Sequence, residues 1–238
     1  MYSGRNALVV FSASLSSVAL YALYTKSNCS SKSSLLSDLE EIISSRRSVF
    51  PKQFTGRDVK DSDLKKCLEA GVWAPNHHLT EPWKFVVYKG KEKERLGRFL
   101  ADMYKLNAGG KFNRGKYDKK IANAGVSSHI VGIVVRRGGK GKKSAPEVED
   151  VCSVAMAVQN VGLMACEMGV GMYWSSASIF KEGTKGDRAV TNPTEVREEL
   201  GLEGGEFCIG WLFVGDGKTK GKGRRTPLGE GGGLEWRE

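Results

Sequence analysis

Residues 73–85, WAPNHHLTEPWKF, set two histidines between two prolines and run into a β-branched segment. An imidazole at such a bend suits a metal, a general base or the edge of a flat ligand. The metal and base uses find little support in the rest of the chain. It has three histidines, His77 and His78 adjacent, and side chains of neighbouring residues are expected to point to different sides. A shared metal would need further ligands that the sequence does not identify. No G-x-S-x-G or H-E-x-x-H pattern is present, which excludes the familiar hydrolase constellations. Without a G-x-G-x-x-G or P-loop pattern, a nucleotide is not held in a familiar glycine cradle.

Two other stretches carry chemistry. In Arg46-Arg47-Ser48, a pair of guanidiniums beside a hydroxyl can grip a phosphate through charge-assisted, partly bidentate hydrogen bonds. A helix C-terminus also favours cations for its own sake, so the pair alone leaves both readings open. In MYWSSAS, Trp174 followed by Ser175 and Ser176 suits a planar ring with polar edges. A packed tryptophan in a serine-lined turn is the alternative.

Positioning these residues takes an alternation of helices and strands from Ser34 onward. SDLEEIISSRR opens with a capping box, Ser37 with Glu40, and sets Leu36, Leu39, Ile42 and Ile43 on one face. DSDLKKCLEAGV is a second helix, with acidic residues in its first turn. The strand WKFVVYKG follows the histidine motif, then polar helical stretches near 91–106 and 116–124, then the buried-looking strand SHIVGIVVR. Residues 151–168 form a helix apolar nearly all round, which must be central or must meet a second copy of itself. MYWSSAS, a helix opened by Asn192-Pro193 and the strand EFCIGWLFVG complete the order. This is an α+β chain with mixed, mainly antiparallel pairing rather than a doubly wound sheet.

Composition sets the limits. A chain of 238 residues, 40% hydrophobic and 27% charged, can bury a sizeable core. Five scattered cysteines without a C-x-x-C pair read as reduced and packed. The net charge of +10 is concentrated in glycine-rich, aromatic-poor stretches such as NAGGKFNRGKYDKK, which read as solvated loops able to attract anionic ligands. No nucleic-acid-binding pattern accompanies the charge, so nucleic acid is not an expected partner. Residues 7–24 are uncharged and lie between Arg5 and Lys26. They predict a membrane anchor, with a cleaved signal or an organellar transit peptide as alternatives. The expected organisation is an anchor or targeting segment with linker over 1–33, a globular domain over 34–220 and a tail over 221–238.

In combination and in this order, SSRRSV, EAGVWAPNHHLTEPWKFVV, MACEMGVGMYWSSA, VREELGL and CIGWLFVG resemble the flavin-dependent nitroreductase family, closest to its small bacterial-type NAD(P)H members. The resemblance covers Leu35 to about Lys220. It implies a nitroreductase-like α+β homodimer with FMN at the interface and NAD(P)H as co-substrate. Arg46, Arg47 and Ser48 match the family's FMN contacts, chiefly to the phosphate and ribityl chain. His77 matches the A-P-x-H histidine, a donor to the cofactor, with His78 facing solvent or packed. Trp73 falls where some relatives place an arginine; Trp174, Ser175 and Ser176 match a W-R-S contact, with Ser175 replacing the arginine. Lys218 is the candidate basic residue closing on the phosphate, and residues 164–169 correspond to a nicotinamide segment. Phe50, Leu79 and Glu81 depart from the family's usual residues. No catalytic side chain is named, because the flavin carries the redox chemistry. The implied activity is ping-pong reduction of nitroaromatics, quinones or similar electron-poor acceptors, with residues 105–120 as a substrate lid. A reductive dehalogenase of the same fold, or a basic scaffold that has lost FMN, are the alternatives.

Overall fold

The segment HIVGIVVR is buried along its length except at its last residue, which only a strand covered on both faces permits. In the computed structural model, residues 35–137, 145–176, 192–217, 223, 225–230 and 233–237 are described. The chain divides into a unit over residues 1–44 and a unit over 45–238. The first contains most of helix α1, residues 35–45. In the second, α2 (Asp61–Gly71) leads through the histidine turn to β1 (Trp83–Lys89), followed by α3 (Gly90–Ala108), α4 (Arg114–Val126) and β2 (His129–Arg136). Then come α5 (Glu147–Glu167), β3 (Val170–Ser175), α6 (Thr194–Leu200) and β4 (Glu206–Asp216).

The sheet runs β1-β2-β4-β3, and its three pairings are antiparallel. The two apolar strands β2 and β4 therefore lie in the middle, and β3 forms an edge. On one face Val131, Ile133, Val135 and Leu212 pack with Leu64 and Cys67 of α2 and Val154, Ala157 and Val161 of α5. On the other, Ile130, Val134 and Trp211 pack with Leu96 and Leu100 of α3, Ala124 of α4 and Val196 of α6. Gly97 lets α3 and α4 meet closely: a Cβ there would stand 2.3 Å from the Ala124 Cβ.

The expected α+β architecture is present, with several local differences. Helix α1 already runs at residue 35, so Ser37 sits inside it and does not cap it. The stretch NAGGKFNRGKYDKK is mostly helical, joining the end of α3, a 3₁₀ turn at Gly109–Lys111 and α4. Asn113 supplies the reason, since its Oδ1 accepts the Lys116 backbone N–H at 3.0 Å as a helix N-cap. The proposed lid is thus the tip of a helical hairpin, tied by Tyr104 and Phe112 rings 6.0 Å apart.

The expectation of a membrane-anchored or organellar protein is corrected. Among the described residues no helix is long and apolar enough to cross a membrane. Helix α5, the longest of the described helices at 21 residues, carries Glu147, Glu149 and Asp150 in its first turn. Residues 7–24, on which that expectation was placed, lie outside the described residues.

Candidate functional site

After α1 the backbone turns extended, and the Val49 N–H donates to the Met172 carbonyl at 2.9 Å. This bond lays the Arg46–Ser48 segment beside the edge strand β3. Arg46 crosses α5 where Gly162 leaves room; a Cβ at that glycine would stand 3.3 Å from the Arg46 Cδ. Arg47 lies against Gly223, where a Cβ would be 2.1 Å from its Nη1. That Nη1 is buried and has no hydrogen-bond acceptor among the described residues. Leaving a charged donor unsatisfied costs upwards of about 1–3 kcal/mol, which an anionic oxygen would relieve. Two half-buried guanidiniums and the exposed Ser48 hydroxyl therefore fit a phosphate group.

Trp174 lies on the same edge strand, two residues beyond Met172. Its position follows from a β-bulge. In the β2–β4 register Ile133 faces Gly210 but Val134 faces Cys208, so Ile209 is an extra residue. The bulge frees the Ile209 carbonyl, which accepts the Trp174 Nε1–H at 3.3 Å. The indole rests on Gly210, where a Cβ would come within 1.9 Å of Nε1. With 37% of its surface exposed, Trp174 keeps an accessible aromatic face. Ser175 ends β3 and Ser176 is exposed just past it. Lys218 lies outside the described residues.

The histidine turn sits at the opposite end of α5. Glu149, beside His77, and Gly162, beside Arg46, are thirteen residues apart, about 20 Å of helix axis. The turn is strained: His78, Leu79 and Glu81, at φ 54°, 53° and 44°, are the non-glycine residues of positive φ among those described. Such conformations cost on the order of 1–3 kcal/mol each and cluster at functional sites. Asn76 helps hold the bend, its Oδ1 accepting the Glu81 N–H at 3.0 Å. From below, the buried Thr80 hydroxyl donates to Asp150 at 3.4 Å. Burial holds the Asp150 carboxyl above its ordinary range.

His77 and His78 do not point to different sides. The left-handed backbone at His78 brings the rings into a stack, with centroids 3.8 Å apart and planes 25° apart. His77 Nδ1 lies 2.5 Å from Glu149 Oε2. Together with Pro75, Asn76, Val148, Cys152 and Met156, this pair lines an open pocket of roughly 310 Å³. Trp73 and Leu79 project into solvent, 85% and 78% exposed.

The resemblance grouped the arginine pair and Trp174 as contacts of one cofactor, and the structure sets both beside β3; Glu149, Gly162 and Gly210 were passed over. Glu149 is masked by the general preference of helix N-termini for acidic residues. The glycines matter through close approach, which has no local signature beyond the residue type.

Comparison with known proteins gives a consistent result. The profile of the Nitroreductase family matches residues 43–216. YfhC of Bacillus subtilis, assigned as an NAD(P)H nitroreductase, is 27% identical over 80% of this chain and 90% of its own length. The crystal structure of a nitroreductase-like protein from Bacillus cereus superposes with a TM-score of 0.60 at 25% identity, covering 84% of this chain and 95% of that one. A Desulfovibrio desulfuricans protein, crystallised as a nitroreductase complex with FMN, shares the fold with a TM-score of 0.57 at 22% identity, over 80% and 92% of the two chains.

Proposed function

The chain belongs to the nitroreductase family, and from that premise we propose that it is an FMN-dependent oxidoreductase using NAD(P)H to reduce nitroaromatic, quinone or similar electron-poor acceptors. The observation that carries this reading is the buried, unpartnered Nη1 of Arg47 beside Arg46, because it calls for an anionic oxygen at that place. In the proposed complex Arg46, Arg47 and Ser48 hold the phosphate and ribityl chain. Trp174, Ser175 and Ser176 border the ring system, and Lys218 supplies a further cation at the phosphate. Bound there, FMN would take reducing equivalents from the nicotinamide and pass them to the acceptor. The chain's own residues bind, orient and exclude water, and the two substrates would occupy one pocket in turn.

The far placement of the histidine turn has a natural role in a homodimer. Val148, Cys152 and Met156 form an exposed stripe at i, i+4 and i+8 on α5 beside that turn. Apolar stripes of this kind favour burial against another surface. In the proposed assembly Trp73 and His77 of a second copy close on the flavin held by the first copy's arginines.

Arg47→Ala tests the assignment. Losing one charge-assisted hydrogen bond weakens FMN binding by roughly 10- to 100-fold, from about 1.5–3 kcal/mol. Fluorescence titration of released and rebound FMN measures it. An Arg47→Ala protein that binds FMN as tightly as the parent would refute the phosphate assignment.

A further inference from the structure

Of the three carboxylates in the first turn of α5, two are engaged within the fold. Asp150 turns inward to Thr80, and Glu147 faces the Arg137 guanidinium at 3.4 Å. Glu149 instead reaches across to the strained turn and meets His77 Nδ1 at 2.5 Å. We infer that Glu149 is a positioning residue that fixes the tautomer and orientation of His77 for contact with the flavin; this role rests on the FMN reading above.

A carboxylate only accepts hydrogen bonds, so His77 must be the donor through Nδ1. In the neutral imidazole this leaves Nε2 without the proton, as an acceptor; once protonated, the ring donates from both nitrogens while Glu149 still holds Nδ1. The stacked His78 ring restricts rotation on one face. The positive φ values at His78 and Leu79 fix the backbone beneath it. Both partners are nearly half exposed, 47% and 45% of their side chains. A contact so open to solvent adds little to stability. The cost of the strained turn is therefore not recovered by this bond, and the pair serves to hold an imidazole at the wall of the pocket. The arrangement parallels the general use of a carboxylate to orient a functional histidine through its other nitrogen.

The test compares the parent with Glu149→Leu, which removes the acceptor, and Glu149→Gln, which keeps a neutral acceptor oxygen of the same reach. Nitrogen-15 NMR of the His77 ring at mildly alkaline pH reads the tautomer without any flavin present. The Nδ1–H form should dominate in the parent, fall sharply in Glu149→Leu and be largely restored in Glu149→Gln. FMN dissociation constants should rise about tenfold in Glu149→Leu, and Glu149→Leu should add no further rise in a His77→Ala background, because the carboxylate acts through the ring. An unchanged tautomer ratio in Glu149→Leu, or additive losses in the double variant, would overturn the assignment while the parent still binds FMN. A parent that binds no FMN overturns the flavin reading itself, and this role with it.

Discussion

Trp174 owes its place to two residues that carry no functional chemistry. The Ile209 carbonyl takes its indole proton, and Gly210 supplies the surface on which the ring lies. Gly210→Ala should displace the indole, since the added Cβ would fall within 1.9 Å of Nε1. The chain should remain folded, with a red-shifted tryptophan emission and FMN binding weaker by about tenfold, as expected for losing an aromatic contact. Unaltered emission and unaltered FMN affinity would show that the bulge does not position the ring. Arg46, Arg47, Ser48 and Trp174 were singled out in the sequence by the order of several stretches together, since neither the arginine pair nor the indole settles its use alone. The bulge was not, because EFCIGWLFVG reads as one apolar run, and an extra residue is defined only against the register of β2. His78 misled for a related reason. Alternation of neighbouring side chains assumes ordinary backbone, and φ of +54° breaks that assumption.

At the scale of elements, the start of α2 is joined to the sheet through Asp61. Its carboxylate accepts from the Lys89 ammonium of β1 and pairs with His129 Nε2 of β2 at 3.0 Å. Ser128 continues the chain of contacts, its Oγ 2.9 Å from His129 Nδ1 and accepting the Val59 N–H at 2.8 Å. The hydrogen bonds from Lys89 and then His129 hold the Asp61 carboxyl below its ordinary range. A carboxyl whose pKa is lowered by folding contributes stability above its unfolded pKa and loses it as pH falls through the folded value. Asp61→Asn should therefore lower the unfolding midpoint at neutral pH, and the two proteins should converge as the buffer is acidified below the carboxylate range. Thermal unfolding across that range measures the effect, and a difference that persists unchanged in acid would contradict it. Helices and strands were legible here because periodicity and burial agree. The helical hairpin tip was not, because its glycines and lysines outweighed the single N-cap at Asn113 in a reading based on composition.

At the scale of the whole molecule, the two halves of the candidate site lie at opposite ends of α5, and the described chain leaves an apolar stripe exposed beside the histidine turn. The sequence pointed to this helix through its nearly unbroken apolar character, since one that is partly exposed and still apolar needs a partner surface. What the sequence could not supply is which end of the helix serves which half of the site, because that depends on where Val49 and Glu149 make their contacts. The membrane expectation rested on residues 7–24, outside the described residues, and among those described no helix is long and apolar enough to cross a membrane. The most direct test of the account is native mass spectrometry of the purified 238-residue chain after incubation with FMN. Two chains carrying two FMN molecules are predicted. A single chain that retains none would contradict the central claim that paired copies clasp the flavin phosphate through Arg46 and Arg47.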